Sequence, residues 1–276
     1  MTDSVNLLDD FTALALSQVR IVLVHPRHPG NIGAAARALK NMGLSRLIIV
    51  GDTPTDHPEA RAMSSGALDL LRRAERVTSL HAAIGDTQLQ FALTAREREI
   101  AQQPMLPRQA ASEAVAAVES ALAPVALVFG NETFGLSNED ILACNRLVHI
   151  PANPGYSSLN LAAAVQVMTY ELRMAALAHG ALGTEAEATA SQALAMHAAP
   201  QQDVERFFVA LEQSLVHSGF LQPDNPRRLM EKLRRLFHRA ALQAEEVHIL
   251  RGMLARWDEK AGQATQRQSR TDGKPE

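Results

Sequence analysis

The chain has 276 residues, 46% of them hydrophobic, enough for one large domain, or one domain with an appendage, around a sizeable core. Its 27 basic and 30 acidic residues give a net charge of −3, which excludes a general pull on polyanions, so any nucleic-acid site must be a local patch. The single cysteine, Cys144, excludes an intrachain disulfide. No run approaches the ~18 apolar residues of a spanning helix, and the acidic opening segment is unlike a secretory signal; a soluble, cytoplasmic protein is expected.

RIVLV (20–24) is a run rich in β-branched residues, as expected of a strand buried on both faces. HPRHPG ends it, and Asn31 is placed to cap a helix running to about Met42, with Gly43 as its C-terminal stop. RLIIV (46–50) predicts a second strand, followed by a helix near 58–72, a strand at 89–95, a helix near 108–121, strands at 125–130 and 146–151, and a long helix at 159–177. This alternation predicts a parallel sheet covered by helices. An alanine-rich stretch reads as a linker over 179–200. Helical spacing then returns over 201–260, in a block that looks too small to bury much by itself, and 261–276 reads as a disordered tail.

Three segments place glycine or small polar residues at the C-terminal end of a predicted strand, the edge where open α/β sheets bind ligands. GNIGAAAR (30–37) offers Gly30 and Gly33 for close backbone approach, Asn31 at a helix N-terminus able to hold an anion, and Arg37 in the following turns. VALVFGNETFGLSNED (125–140) ends a strand at Gly130 and continues through Glu132, Gly135 and Leu136 to Ser137, which can cap a short helix with Asp140 three residues on. In IPANPGYSSLNLAAA (150–164), Ser157 or Ser158 can cap the last long helix, with Asn160 in its first turn. Each segment taken alone also fits ordinary helix capping. No phosphate-binding GxxxxGK[ST] occurs, and SSLN is not a nucleophile elbow. His25, His28, His57, His81 and His149 show no metal-ligand spacing, and Cys144 reads as a core filler. Asp52 lies where a dinucleotide-binding acid would, but the GxGxxG partner is missing, so a nicotinamide-dependent oxidoreductase is a weaker alternative.

Together and in this order, Asn31–Gly33–Arg37, Gly130–Glu132–Gly135–Leu136 and Ser158–Leu159–Asn160 resemble the three motifs of the SPOUT methyltransferases of the TrmH-like branch. The resemblance covers residues 20 to about 177. Past the linker, DVERFFVALEQSLVHSGFL, NPRRLMEKLRRLFHRA and ILRGMLA resemble the C-terminal extension of the bacterial tRNA (cytidine/uridine-32-2′-O)-methyltransferases of that branch. It implies an α/β catalytic domain over 1–178 with a C-terminal trefoil knot, plus a small helical extension. It further implies S-adenosylmethionine (SAM) as cofactor, tRNA as substrate and a homodimer whose active site is completed across the interface. The cofactor would be lined by Thr94, Ala95, Arg96, Gly130, Glu132, Ile150, Ser158 and Leu159. Arg37 would activate the ribose 2′-hydroxyl, with Asn31 orienting Arg37 or the ribose, and Ser158 and Asn160 holding the site. Asn131 stands where related enzymes often carry a basic residue. A catalytically inactive RNA-binding module on the same scaffold is the remaining alternative.

The helical extension carries the patch that global charge lacks. Arg227, Arg228, Lys232, Arg234, Arg235 and Arg239 stand against only Glu231, and the spacing 228–232–235–239 puts Arg228, Lys232, Arg235 and Arg239 along one helix face as candidate RNA contacts. Aromatic residues make up 4% of the chain, so base stacking is not expected to be the main recognition device. No metal is expected.

Overall fold

A computed structural model describes residues 11–95, 103–120, 122–182, 199–222, 228–240 and 242–271. The chain divides into two compact units, Met1–Met196 and His197–Glu276.

The first unit is built on six strands: β1 (Val19–Val24), β2 (Arg46–Val50), β3 (Glu75–Val77), β4 (Leu89–Thr94), β5 (Val125–Phe129) and β6 (Arg146–His149). All neighbouring pairs are parallel, in the order β3-β2-β1-β5-β4-β6. The central strands are mostly apolar because both faces are covered, with Arg20 and Gln90 as buried polar exceptions near their starts. Ile21, Leu23, Leu47, Ile49, Phe91, Leu127 and Phe129 enter one core, while Val22, Val24, Ile48, Val50, Ala92, Ala126 and Val128 enter the other. The first core is covered by helical residues 11–17 (α1), α2 (Pro29–Met42), α3 (Pro58–Ser64), α4 (Leu68–Arg73), α6 (Pro107–Glu119) and α8 (Leu161–Leu182). The second lies under two five-residue helices, α5 (Leu80–Ile84) and α7 (Asn138–Leu142). Cys144 follows α7 and is buried there as a core filler, where burial pushes its thiol pKa up.

Several local expectations change. The helix read at 58–72 is broken by a 3-10 turn at Ser65–Ala67, with Ser65 at φ 48°, because Ser64-Ser65-Gly66 is a poor helix former. Edge strand β3 and the short α5 carry too few apolar residues for periodicity to find. Gly43 does end α2, at φ 86°: its N–H and that of Leu44 bond back to the carbonyls of Lys40 and Leu39. Gly33 serves packing between helices. A Cβ there would lie 2.0 Å from the Ala60 carbonyl oxygen, so α3 crosses α2 directly over this residue.

The second unit comprises α9 (Gln201–His217), α10 (Leu229–Ala240) and α11 (Ala244–Thr271). It has a core of its own, contrary to the expectation that it buries little alone: Phe207, Phe208, Leu211, Val247 and Leu254 are buried, with Leu233 and Phe237 packed against them. The Phe207 and Phe237 rings meet edge to face at 4.9 Å. Helix α11 continues to Thr271, into the segment read as a tail. Of the linker read at 179–200, residues 183–198 lie outside those described; α8 itself extends to Leu182.

Candidate active site

The three sequence segments meet at the C-terminal edge of the sheet. They are joined by a hydrogen-bonded chain whose polarity is set by chemistry. The Glu132 carboxylate can only accept. Its Oε2 takes the backbone N–H of Arg27 at 2.8 Å, and its Oε1 takes both the backbone N–H of His28 at 3.2 Å and the Asn31 side-chain Nδ2 at 2.7 Å. With its NH2 group committed to Glu132, Asn31 has only its Oδ1 left to offer, and this accepts from Asn160 Nδ2 at 2.9 Å. Asn160 Oδ1 is thereby turned to the first turn of α8, where it accepts from the N–H groups of Ala162 at 2.9 Å and Ala163 at 3.3 Å. Asn31 of the first motif thus holds one residue from each of the other two.

Two capping expectations are corrected by this network. Asn31 does not cap α2; the helix begins at Pro29, its N-cap is His28 without a side-chain bond, and Asn31 lies within the first turn. The anion at this helix end is Glu132 of the same chain, which leaves no need for an external one. Likewise Asn160, rather than Ser157 or Ser158, caps α8, which opens at Leu161. The capping box of Ser137 and Asp140 on α7 is as expected. Burial by itself would raise the Glu132 pKa, but the Asn31 amide and the backbone N–H groups outweigh it, so the carboxyl is held below its ordinary value.

The loop after β5 is compact for an identifiable reason. Asn131 Oδ1 accepts the N–H groups of Thr133 at 3.0 Å and Phe134 at 2.8 Å, and the Asn131 carbonyl accepts from Gly135 at 3.0 Å, with Gly135 at φ 69°. The loop folds back so closely that a Cβ on Gly130 would lie 2.0 Å from the Gly135 carbonyl carbon. Asn131 is thus used to build this turn.

Beside the loop lies a pocket at the ends of β4, β5 and β6. Thr94, Ala95, Gly130, Glu132, Ile150, Ser158 and Leu159 all line it, so seven of the eight residues expected around a cofactor converge there; the eighth, Arg96, lies outside the described residues. Asn131, Thr133, Phe134 and Ser157 also line it. Sequence reading missed Thr133 and Phe134 as site residues, along with Arg27, which lies in the segment read only as a strand breaker.

Residues 18–170, more than half of the chain, match the family model described as the SpoU rRNA Methylase family. The chain belongs to the SpoU methylase family. Residues 202–268 match a second model, the C-terminal domain of the tRNA methyltransferase TrmJ. A Pseudomonas aeruginosa protein named tRNA (cytidine/uridine/adenosine-2′-O-)-methyltransferase TrmJ is 45% identical over 240 residues, covering 87% of this chain and 93% of its own. The tRNA (cytidine/uridine-2′-O-)-methyltransferase TrmJ of Klebsiella pneumoniae is 44% identical over 243 residues, covering 87% and 96%. The crystal structure of TrmJ from Z. mobilis aligns with a TM-score of 0.72 at 30% identity, covering 86% of this chain and 97% of that one.

Within this SpoU methylase, Arg37 is exposed on α2 and makes no hydrogen bond or ion pair among the described residues. Six positions of helix rotation put it about 120° around α2 from Asn31, whose side chain bonds Glu132 and Asn160 and not Arg37. Asp52, the candidate dinucleotide acid, follows β2 and is exposed 3.9 Å from Arg76, away from the pocket lining. The nicotinamide alternative is therefore left without support.

In the second unit, Arg228 precedes α10, with φ 54°, instead of lying on its face. Lys232 and Arg239 are exposed on the helix and Arg235 is half-buried. Arg234 is structural: it pairs with both Glu205 oxygens, at 2.7 and 2.5 Å, and covers the Phe208 ring at 4.5 Å.

Proposed function

We infer that the chain is a SAM-dependent tRNA ribose 2′-O-methyltransferase acting on cytidine or uridine at position 32 of the anticodon loop. The observation that carries the reading is that hydrogen bonds through Asn31, Glu132 and Asn160 join the three motifs beside a pocket lined by residues of the second and third, in a chain similar over most of its length to proteins named for this activity. The pocket's chemistry suits the cofactor. Leu93, Phe129, Leu136 and Ile150 offer an apolar wall for an adenosine ring, and Thr94, Asn131, Ser157 and Ser158 supply polar groups for ribose and amino-acid ends. When bound, SAM supplies a methyl group on a sulfonium whose leaving group is a neutral thioether, so that chemistry needs no metal.

The residues of this chain supply position and charge. Holding the acceptor oxygen in line can contribute up to ~7–11 kcal/mol. Arg37, exposed and uncommitted, grips the phosphate next to the acceptor ribose and stabilises charge developing on the 2′-oxygen. Its guanidinium stays protonated, so the phosphate is the better proton acceptor. Asn31, Glu132 and Asn160 fix the loops around the pocket, and Ser158 faces its ligand.

The reading includes a homodimer and a trefoil knot in the C-terminal part of the domain. For the dimer, α8 buries Val165, Met168 and Leu172 inward while Tyr170 and Met174 stay exposed and Val167 half-buried, an apolar stripe suited to a second copy. A monomeric mass by light scattering at full activity would remove it. For the knot, the support is the family match and the insertion of β5 between β1 and β4 before the chain returns to β6 at the edge. A tRNA substrate also accords with a cytoplasmic location. Mapping 2′-O-methylation by mass spectrometry, in tRNA from a strain lacking this gene and after treatment with the purified protein, tests the function. Unchanged methylation in both would overturn it and favour the inactive RNA-binding alternative.

A further inference from the structure

The rim of the pocket carries a feature that the hydrogen-bonded chain does not use. Phe134 lines the pocket and is nevertheless 65% exposed, an unusual position for a large apolar ring in a chain with so few aromatics. Its ring belongs to none of the hydrophobic cores formed by the described residues, yet the loop holds it through the Asn131 side chain, which accepts its backbone N–H. Arg27 lies over the ring with its guanidinium carbon 5.9 Å from the centroid, and Arg27 Nη1 donates to Thr133 Oγ1 at 3.0 Å. Arg27 is fixed from the other side too, since its backbone N–H donates to Glu132 and Thr53 Oγ1 donates to the neighbouring Pro26 carbonyl. The result is a rigid pair, a ring and a planar cation, next to the pocket.

The chemistry of that pair matches an unstacked nucleotide. An exposed aromatic ring accepts a base of any identity on its π-face, and a guanidinium with N–H groups left over pairs with phosphate. A ribose whose 2′-oxygen is to reach the pocket must leave its own stack, and its base then needs a new apolar surface within a few ångströms of the pocket. Resting on the functional reading above, we propose that Phe134 is the surface on which the base of the methylated nucleotide stacks, with Arg27 holding both the ring and an adjacent phosphate. One ring serving one nucleotide is compatible with the low aromatic content, which speaks against an extended stacking platform. Such a contact tolerates either pyrimidine, because it reads a π-face instead of a hydrogen-bonding edge.

The test uses the full-length protein and a tRNA transcript that the wild type methylates. Phe134→Ala should lower kcat/KM for tRNA by about 5- to 150-fold, chiefly through KM, as expected for loss of one base–aromatic stack. Phe134→Tyr should restore most of it and Phe134→Leu should not, although leucine still fills the lining; a merely structural role would rank them the other way. Arg27→Ala should raise KM for tRNA and lower the salt slope of binding by up to about one unit. Independently of turnover, 4-thiouridine at the methylated position should photocross-link to the segment 131–135. Full rescue by leucine, a fall in SAM affinity equal to the fall in kcat/KM, or loss of the dimer in Phe134→Ala would each overturn the assignment. Absence of methyl transfer by the wild type would overturn the functional reading, and the platform with it; normal transfer by the wild type and by Phe134→Ala alike would overturn the platform alone.

Discussion

Replacing Glu132 should separate the fold's architecture from its chemistry. The carboxylate accepts from the Arg27 N–H at 2.8 Å, the His28 N–H at 3.2 Å and Asn31 Nδ2 at 2.7 Å. Hydrogen bonds to a charged acceptor contribute roughly 1.5–3 kcal/mol each, so three would nominally sum to about 5–9 kcal/mol. Glu132 is only half-buried, so water replaces part of what is lost, and neighbouring bonds do not add. We expect Glu132→Ala to destabilise the first unit by about 2–4 kcal/mol, lowering Tm by ~5–15 °C for a unit of this size. Glu132→Gln is the sharper perturbation. Its Oε1 can still accept from Asn31 and His28, but its NH2 then opposes the backbone N–H of Arg27, donor against donor. A cost of ~1–3 kcal/mol follows, with a loss of activity larger than the loss of folded protein, because Asn31 and Asn160 lose their anchor. Acid should reveal the same interaction. The folded pKa of Glu132 lies below its ordinary 4.5, so the stabilisation is fully present above that value and is lost as pH falls through the folded pKa. Stability of the wild type should be insensitive to this group from pH 6 upward, and the part of its acid loss below ~4.5 due to Glu132 should vanish in Glu132→Gln. Thermal melts across pH, with kcat/KM at neutral pH, provide the assay. A Glu132→Gln protein with wild-type Tm and kcat/KM would refute the claim that this carboxylate organises the site.

Asn160→Asp keeps the cap on α8 but sets a carboxylate against Asn31 Oδ1; Tm should change by less than ~1 kcal/mol equivalent while activity falls, whereas Asn160→Ala should also lose about 1 kcal/mol of capping. Equal activity in Asn160→Asp and wild type would count against the forced polarity of the chain. Arg37→Ala should melt normally and bind SAM with unchanged affinity by calorimetry but lose ~10²-fold or more of methyl transfer, and near-normal turnover at saturating tRNA would exclude its role. In the second unit, reversing Lys232, Arg235 and Arg239 to Glu should weaken tRNA binding and reduce its salt slope by up to ~0.7–0.9 per lost phosphate contact. Arg234→Ala, by contrast, should lower the stability of that unit by breaking the pair with Glu205. Unchanged salt dependence in the triple variant would assign α10 to structure alone.

Much of this protein is determined by its sequence without reference to contacts. Largely apolar runs at 21–24, 47–50, 91–93 and 125–129 point to a parallel sheet covered on both sides, because doubly buried strands dispense with polar alternation. The order of Asn31, Glu132 and Asn160, with the glycines around them, carries a family resemblance that the match over residues 18–170 bears out. Periodicity could not find β3 or α5, which are short and carry little apolar signal, nor the break at Ser65. Only the tertiary structure decided what each site residue does. Asn31 looks like a cap in sequence because helix starts favour asparagine, yet it is taken up by a carboxylate 101 residues away. Gly33 looks like a ligand glycine, yet it is required by the Ala60 carbonyl of a crossing helix. Local rules state which partners a side chain can take, and the fold alone brings one of them within hydrogen-bonding distance.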